Sequence, residues 1–110
     1  MNKLKISPEA RNDLVEIKNY ISQEPNSSQA AEKLISKITK KIRGLLDYPG
    51  IGASLSSVID IQTEYRFLAC ANYLIFYRYE DEAVYVIRIL YGRRDYVRVL
   101  FNDLLEKEEK

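Results

Sequence analysis

"YLIFYRYEDEAVYVIRILYGRRDY", from Tyr73 to Tyr96, is the stretch whose reading decides the fold. It holds two runs of β-branched and aromatic residues, Tyr73 to Tyr79 and Ala83 to Tyr91, separated by "EDE" at Glu80 to Glu82. Such residues pack well on a pleated surface, and a link this short returns the chain alongside itself, so the two runs read as an antiparallel hairpin. "EYRFLACA" (Glu64 to Ala71) has the same texture and ends at a tight turn near Asn72, which makes a three-strand meander. Beyond Gly92, the residues Val97, Leu100, Phe101, Leu104 and Leu105 recur at helical spacing and predict a closing helix, with "EKEEK" in solvent.

Upstream of the meander the period changes from two to that of a helix. "KLKIS" (Lys3 to Ser7) alternates polar and apolar and predicts a short first strand. Ser7 followed by Pro8 is a helix start, because serine accepts an orphan amide bond and proline has no N–H to waste at the first position. Ala10, Leu14, Ile17 and Ile21 share one face, so the first helix runs to about Ser22. Pro25 lies outside it, and Ser27 or Ser28 opens a second helix. Ala31, Leu34, Ile35, Ile38, Ile42, Leu45 and Leu46 form the apolar stripe of that helix, which "DYPG" (Asp47 to Gly50) ends. The short connection makes the two helices an antiparallel hairpin. "IGASLSSVIDIQT" (Ile51 to Thr63) has no clear period and reads as a loop with room for a turn of helix. The expected fold class is α+β in the order β-α-α-β-β-β-α, one domain over residues 1–110, with the helical hairpin on one face of a small, mainly antiparallel sheet.

Both faces of that sheet are apolar. By alternation Tyr73, Ile75, Tyr77 and Tyr79 oppose Leu74, Phe76 and Arg78, while Val84, Val86 and Leu90 oppose Tyr85, Ile87, Ile89 and Tyr91. One helical hairpin covers one face. The second requires the C-terminal helix or a bound polypeptide.

Composition removes several function classes. Lys and Arg number 17 against 16 Asp and Glu, a net charge of +1, well short of a protein that holds nucleic acid by bulk electrostatics. Cys70 is the only cysteine and there is no histidine, so an intramolecular disulfide, a His/Cys zinc site and a Ser-His-Asp system are all excluded. No metal or cofactor is expected. No apolar run approaches the roughly 20 residues of a membrane span, and a cytoplasmic protein without membrane contact is the expectation. Cys70 reads as a small buried residue, "YPGIGA" (Tyr48 to Ala53) as a helix stop, and Lys37, Lys40, Lys41 and Arg43 as the solvated, dipole-favoured end of the second helix.

Arginine is the residue type left with chemistry to offer. Arg66, Arg78, Arg88, Arg93, Arg94 and Arg98 all fall in the C-terminal half, on or beside strands. A guanidinium stays charged and grips phosphate or carboxylate with a fixed fork, so Arg66, Arg78, Arg88, Arg93 and Arg94 are candidate contacts to a target or a phosphate. The structural alternative is that Arg93 or Arg94 pairs with Asp95 and closes the strand-to-helix corner.

"SPEARNDLVEIKNYI" (Ser7 to Ile21), "AAEKLISKITKKIRGLLDYPGIG" (Ala30 to Gly52) and the opening stretch together resemble the RelE/ParE superfamily, the toxins of type II toxin–antitoxin pairs. The resemblance runs from about Lys3 to Phe101. It implies the element order reached above and a cognate antitoxin whose C-terminal segment wraps the toxin in a hetero-oligomer, covering Leu74, Phe76 and the strand surface around them. It also implies one of two activities. ParE-like members poison DNA gyrase through protein contacts; RelE-like members cut mRNA on the ribosome without a metal. Positions where RelE-like nucleases carry polar groups hold Leu74, Leu68 and, by rough alignment, Leu100, whereas Arg66 and Arg94 are basic. Tyr91, just before the glycine, stands where relatives often have histidine. In the nuclease reading Arg94 and Tyr91 are the catalytic pair, yet phenol and guanidinium groups both hold their protons at neutral pH. "YLIFYR" and "GRRD" resemble the ParE branch, and the low net charge agrees. The reading is a ParE-like toxin acting on gyrase by contact, with ribosome-dependent mRNA cleavage as the alternative.

Overall fold

The computed structural model describes residues 2–23 and 28–108, of which residues 103–108 are described by their backbone alone. The elements are β1 (Lys3–Ile6), α1 (Pro8–Ser22), α2 (Ser28–Gly44), β2 (Ala53–Ser54), β3 (Arg66–Cys70), β4 (Tyr73–Glu80), β5 (Ala83–Tyr91) and α3 (Tyr96–Glu108). They form one five-stranded sheet in the order β1-β5-β4-β3-β2, with β1 parallel to β5 and the remaining pairs antiparallel. This is the expected α+β order with one strand added. β2, expected as loop, is only two residues long, too short to carry a period, and is strand because Ala53 and Ser54 pair with Phe67 and Arg66. A 3-10 turn over Leu55–Ser57 follows it.

The first helix starts as its sequence dictates. The Ser7 hydroxyl accepts the Ala10 N–H at 2.9 Å, Pro8 is the first helical residue, and Glu9 lies in the first turn. Pro25, expected outside the first helix, and Ser27, one of the two residues expected to open the second, lie outside the described residues, and Ser28 is the first residue of α2. α2 ends at Gly44 rather than at "DYPG", since glycine is a poor helix former and the chain continues in tighter turns that still bury Leu45. α1 packs on α2 and on β5, and α2 on β3. Between the hairpin and the sheet Ile17, Ile38, Ile42, Ile75, Tyr77 and Val86 are buried, and Cys70 joins them.

The second face is covered by the chain itself. Leu55, Phe76 and Leu90 are buried there under Tyr65, Phe67 and the α3 residues Tyr96, Val99, Leu100 and Phe101. α3 kinks at Phe101 (φ −127°, ψ 24°), and the Phe101 ring stacks on Tyr65 with centroids 5.7 Å apart. The side chains of Leu104 and Leu105, assigned to the same stripe, lie outside the described residues.

The expected facing of the fifth strand needs a correction. Val84 and Val86 lie against the helices with Tyr77, whereas Leu90 lies on the opposite face with Phe76. The register explains it: Phe76 pairs with Arg88 and Tyr77 with Val86, so Ile87 is an extra residue, a β-bulge. One inserted residue exchanges the two faces for everything beyond it. Ser7 holds the bulge from the side: its hydroxyl donates to the Ile87 carbonyl at 2.7 Å and its N–H to the Val86 carbonyl at 3.0 Å.

A second lock ties the loop after α2 to the sheet. The Tyr77 hydroxyl accepts the Gly52 N–H at 2.9 Å and donates to the Pro49 carbonyl at 2.7 Å. A Cβ on Gly52 would lie 2.6 Å from that hydroxyl and 2.7 Å from the Phe67 carbonyl oxygen, so "YPGIGA" is more than a helix stop: Gly52 is glycine because the strand and the ring approach its backbone. Burial raises the Tyr77 pKa above the ordinary 10.0, against the Gly52 hydrogen bond and the charge of Arg66, which lower it. A phenol that ionises more readily when unfolded stabilises the fold fully below its unfolded pKa and loses that contribution as pH rises beyond it. Tyr77→Phe is therefore expected to cost about 1–3 kcal/mol at neutral pH, because the Gly52 and Pro49 backbone groups lose their partner. The same variant should show a shallower loss of stability above about pH 10. Urea unfolding at the two pH values reads both effects.

Candidate functional site at the glycine corner

β5 ends where the chain must turn from strand into α3. The Gly92 N–H donates to the Asn72 carbonyl at 2.8 Å, which ties the corner to the β3–β4 turn, where Ala71 takes a positive φ of 54°. The Arg94 N–H donates to the Tyr91 carbonyl at 3.0 Å and the Tyr96 N–H to the Arg94 carbonyl at 2.7 Å. These bonds fold Tyr91–Tyr96 into a tight elbow that turns Arg93 and Arg94 outward, both exposed.

Asp95 does not close this corner with either of them. Its carboxylate accepts the Arg98 N–H at 3.2 Å and stands 3.5 Å from Arg98 Nε, an N-terminal cap on α3 with an exposed ion pair. The pairing expected from Arg93 or Arg94 is corrected to Arg98, three residues along the helix, where i and i+3 side chains meet. Arg93 and Arg94 are left without a side-chain partner among the described residues.

The other candidate arginines lie elsewhere and are engaged within the fold. Arg66 donates to the Gly52 carbonyl at 2.7 Å and fastens the loop after α2. Arg78 pairs with Glu80 and lies 4.1 Å from the centre of the Tyr85 ring. Arg88 reaches back to α1 and grips Asp13 with Nε at 2.7 Å and Nη2 at 2.8 Å. Asp13 also accepts the Ile89 N–H at 2.9 Å and is only 3% exposed. The Asp13 hydrogen bond raises the Arg88 pKa further, outweighing burial, which opposes it. Asp13 was missed in the sequence, although a carboxylate between Ala10, Leu14 and Ile17 on the apolar face of a helix is a visible anomaly.

Tyr91 is exposed and packs edge-on against Tyr73 with centroids 5.8 Å apart. With Tyr20, Ile21, Leu34, Ala71 and Asn72 the pair lines an open groove of about 560 Å³. Burial, then the neighbouring Tyr20 and Tyr91, raises the Tyr73 pKa. Leu74 is half-buried, Phe76 fully so, and Leu74 and Leu100 both pack into the apolar cluster on the second face. Among the described residues no group of three or more His, Cys, Asp or Glu side chains is placed to hold a metal ion, and no helix is long and apolar enough to cross a membrane.

Comparison with known proteins places this geometry. Residues 4–96 match the family model described as the ParE toxin of the type II toxin–antitoxin system parDE. The chain belongs to the ParE toxin family. The match spans β1 through the glycine corner, including Arg93 and Arg94, and makes the chain a type II toxin–antitoxin toxin domain. In fold, this ParE-family chain is similar to a chain of the chromosomal ParDE TA system from P. aeruginosa, with a TM-score of 0.69, 20% identity, and 83% of this chain and 96% of that one covered. The isolated E. coli RelE toxin is also similar, with a TM-score of 0.55, 16% identity, and 96% and 99% covered. The fold is thus that of the RelE/ParE superfamily, nearer ParE. A sequence comparison with curated proteins finds no match.

Proposed function

We propose that this ParE-family toxin acts by protein contact, with DNA gyrase as its target and a cognate antitoxin as its neutraliser, in the cytoplasm. The observation that carries the reading is the use made of the positions RelE-like catalysis would need. Leu74 and Leu100 are packing groups against Leu55, Phe76 and Leu90, while Arg66 is fastened to the Gly52 carbonyl. What remains without a side-chain partner among the described residues is a charged, exposed lip, Arg93 and Arg94, on a backbone-hydrogen-bonded elbow, and a pair of guanidinium groups suits recognition of carboxylates on a protein surface. The antitoxin contact is proposed on the second face at Leu74, with Phe76 reached only where α3 yields.

Purified chain is expected to inhibit gyrase supercoiling. Arg93→Ala/Arg94→Ala should weaken that inhibition at least about tenfold with thermal unfolding unchanged, since two desolvated charges at a contact are worth that much. Codon-specific, translation-dependent cuts in mRNA that disappear in Arg94→Ala would overturn the reading in favour of ribosome-dependent cleavage, with Tyr91 as its partner.

A further inference from the structure

Tyr20, Tyr73 and Tyr91 come from three different elements, α1, β4 and β5, and line one groove. Tyr73 and Tyr91 are direct cross-strand partners at the start of β4 and the end of β5. Each lies two residues from a buried isoleucine, Ile75 or Ile89, so both rings stand on the face that carries the helical hairpin. Tyr20 faces them from the end of α1 and is 71% exposed. The three phenols are near enough that Tyr20 and Tyr91 add to the rise that burial causes in the Tyr73 pKa. The groove holds about 560 Å³, with Ile21 and Leu34 as its apolar wall. That volume suits a small molecule with a ring.

Two features say what the groove would take. The first is neutrality: among the described residues no charged side chain lines it. The second is a set of idle hydrogen-bonding groups. The Tyr77 and Tyr79 hydroxyls are bonded within the fold. Those of Tyr20, Tyr73 and Tyr91 have no hydrogen-bond partner among the described residues, and neither has the carboxamide of Asn72 on the β3–β4 turn at the rim. A carboxamide offers a donor and an acceptor side by side, and it pairs in this way with adenine, whose N6 donates while N7 accepts. Tyrosine rings supply the faces on which a base stacks. Tyr73 and Tyr91 meet at 62°, so they form a wall and a floor for a third flat ring rather than a closed stack. A quaternary ammonium also favours aromatic faces. It has no use for the carboxamide, however, and it would stand close to Arg93, exposed two residues beyond Tyr91.

We infer that this groove binds the adenine ring of a free nucleoside or nucleotide, stacked on the tyrosines and held at its edge by Asn72. The ring site lies on the hairpin side of the sheet, whereas Leu74 and Leu100 pack on the other, so it is separate from the surface proposed for the antitoxin. Tyr91 serves here as a stacking face, with no proton to move. The inference goes beyond the gyrase reading and does not depend on it.

The test is isothermal titration of the full chain with adenosine and with adenosine monophosphate. Both are expected to bind with a Kd below about 1 mM, and the tighter of the two identifies the form held. N6,N6-dimethyladenosine keeps the ring face but has no N–H at that edge, and it should bind at least about fivefold more weakly than adenosine. Tyr20→Ala removes a mostly exposed ring, and Asn72→Ala changes a position without a positive φ, so neither strains the fold. Thermal unfolding checks both variants. Each should weaken adenosine binding at least about fivefold. No binding of either ligand, full binding of the dimethylated analogue, or indifference to either substitution would overturn the proposal. Tetramethylammonium binding more tightly than adenosine would overturn it in favour of a cation cage. A ten-nucleotide oligoadenylate binding at least about a hundredfold more tightly than the monophosphate would overturn it in favour of a nucleic-acid strand. None of these readings uses gyrase, so failure of the gyrase assay and failure of this one are separate results.

Discussion

Asp13→Ala is expected to lower the unfolding free energy by about 3–5 kcal/mol, because breaking one side of a buried ion pair strands the other. The carboxylate holds Arg88 with two bonds, at 2.7 and 2.8 Å, and the Ile89 N–H with a third at 2.9 Å. Its loss leaves a guanidinium whose side chain is 22% exposed and a buried amide, with only partial access to water in compensation. Asp13→Asn should fall between the variant and the parent, since an amide oxygen still serves Ile89 while the charge is gone. Asp13→Leu combined with Arg88→Met should recover much of the loss, as apolar replacements of both partners often do. Urea unfolding of the parent, Asp13→Leu, Arg88→Met and the double variant measures the coupling, and the Asp13→Ala and Asp13→Asn proteins measure the two losses. The pH dependence has a definite sign. Arg88 has its pKa raised by the Asp13 hydrogen bond, so its share of stability is present at all pH values below the unfolded value and disappears only in strong alkali. The site feels this pair indirectly: it seats α1 on the bulged part of β5, and β5 delivers Tyr91, Arg93 and Arg94 to the corner.

The residues that were legible in the sequence are those whose role is local. Ser7 and Pro8 start α1 because capping needs only a hydroxyl and a proline in consecutive positions, and the observed helix runs over Pro8–Ser22. The three long strands were equally plain, since alternation and β-branching are properties of each run by itself. The bulge at Ile87 was not. Nothing in "AVYVIRILY" distinguishes an extra residue from a paired one, and its consequence, Val84 and Val86 on one face with Leu90 on the other, depends on where β4 aligns. β2 was hidden for the same reason: Ala53 and Ser54 are strand only by virtue of Phe67 and Arg66. At the candidate site, the strand-to-helix corner was foreseen, but Asp95 was expected to pair with Arg93 or Arg94, its sequence neighbours, and it pairs with Arg98 instead. Adjacent residues on a tight turn point apart, whereas an N-terminal cap and the residue three further along share one side of the first turn. Asp13 was the most readable of the missed residues, a charge placed squarely on an apolar stripe.

Phe76→Ala is expected to cost about 3–5 kcal/mol and to free α3 from the sheet. Phe76 is 0% exposed, with the Tyr96 ring centred 5.2 Å away and the Phe67 ring 6.5 Å away. It is the point where β3, β4, the turn at Leu55 and the start of α3 converge. α3 has further anchors in Val99, Leu100 and Phe101, the last stacked on Tyr65, but the Phe101 contact sits at the kink, and the first turn rests on Phe76 through Tyr96. Two roles for Phe76 therefore make opposite demands on one measurement. A residue serving chiefly to meet the antitoxin would leave the free chain unchanged when truncated and weaken only the complex. A residue serving chiefly as the floor under α3 would lower the melting temperature of the free chain, by more than about 10 °C for a domain of this size. It would also speed amide exchange across Tyr96–Phe101. The second outcome is expected for Phe76. Leu74, half-buried at the margin of the same cluster, should reverse the balance: Leu74→Ala loses less than Phe76→Ala in the free chain and relatively more in the complex. If both substitutions leave the free chain's stability and exchange untouched, α3 is not held through Phe76, and the second face is open to a partner in the way its bare sequence suggests.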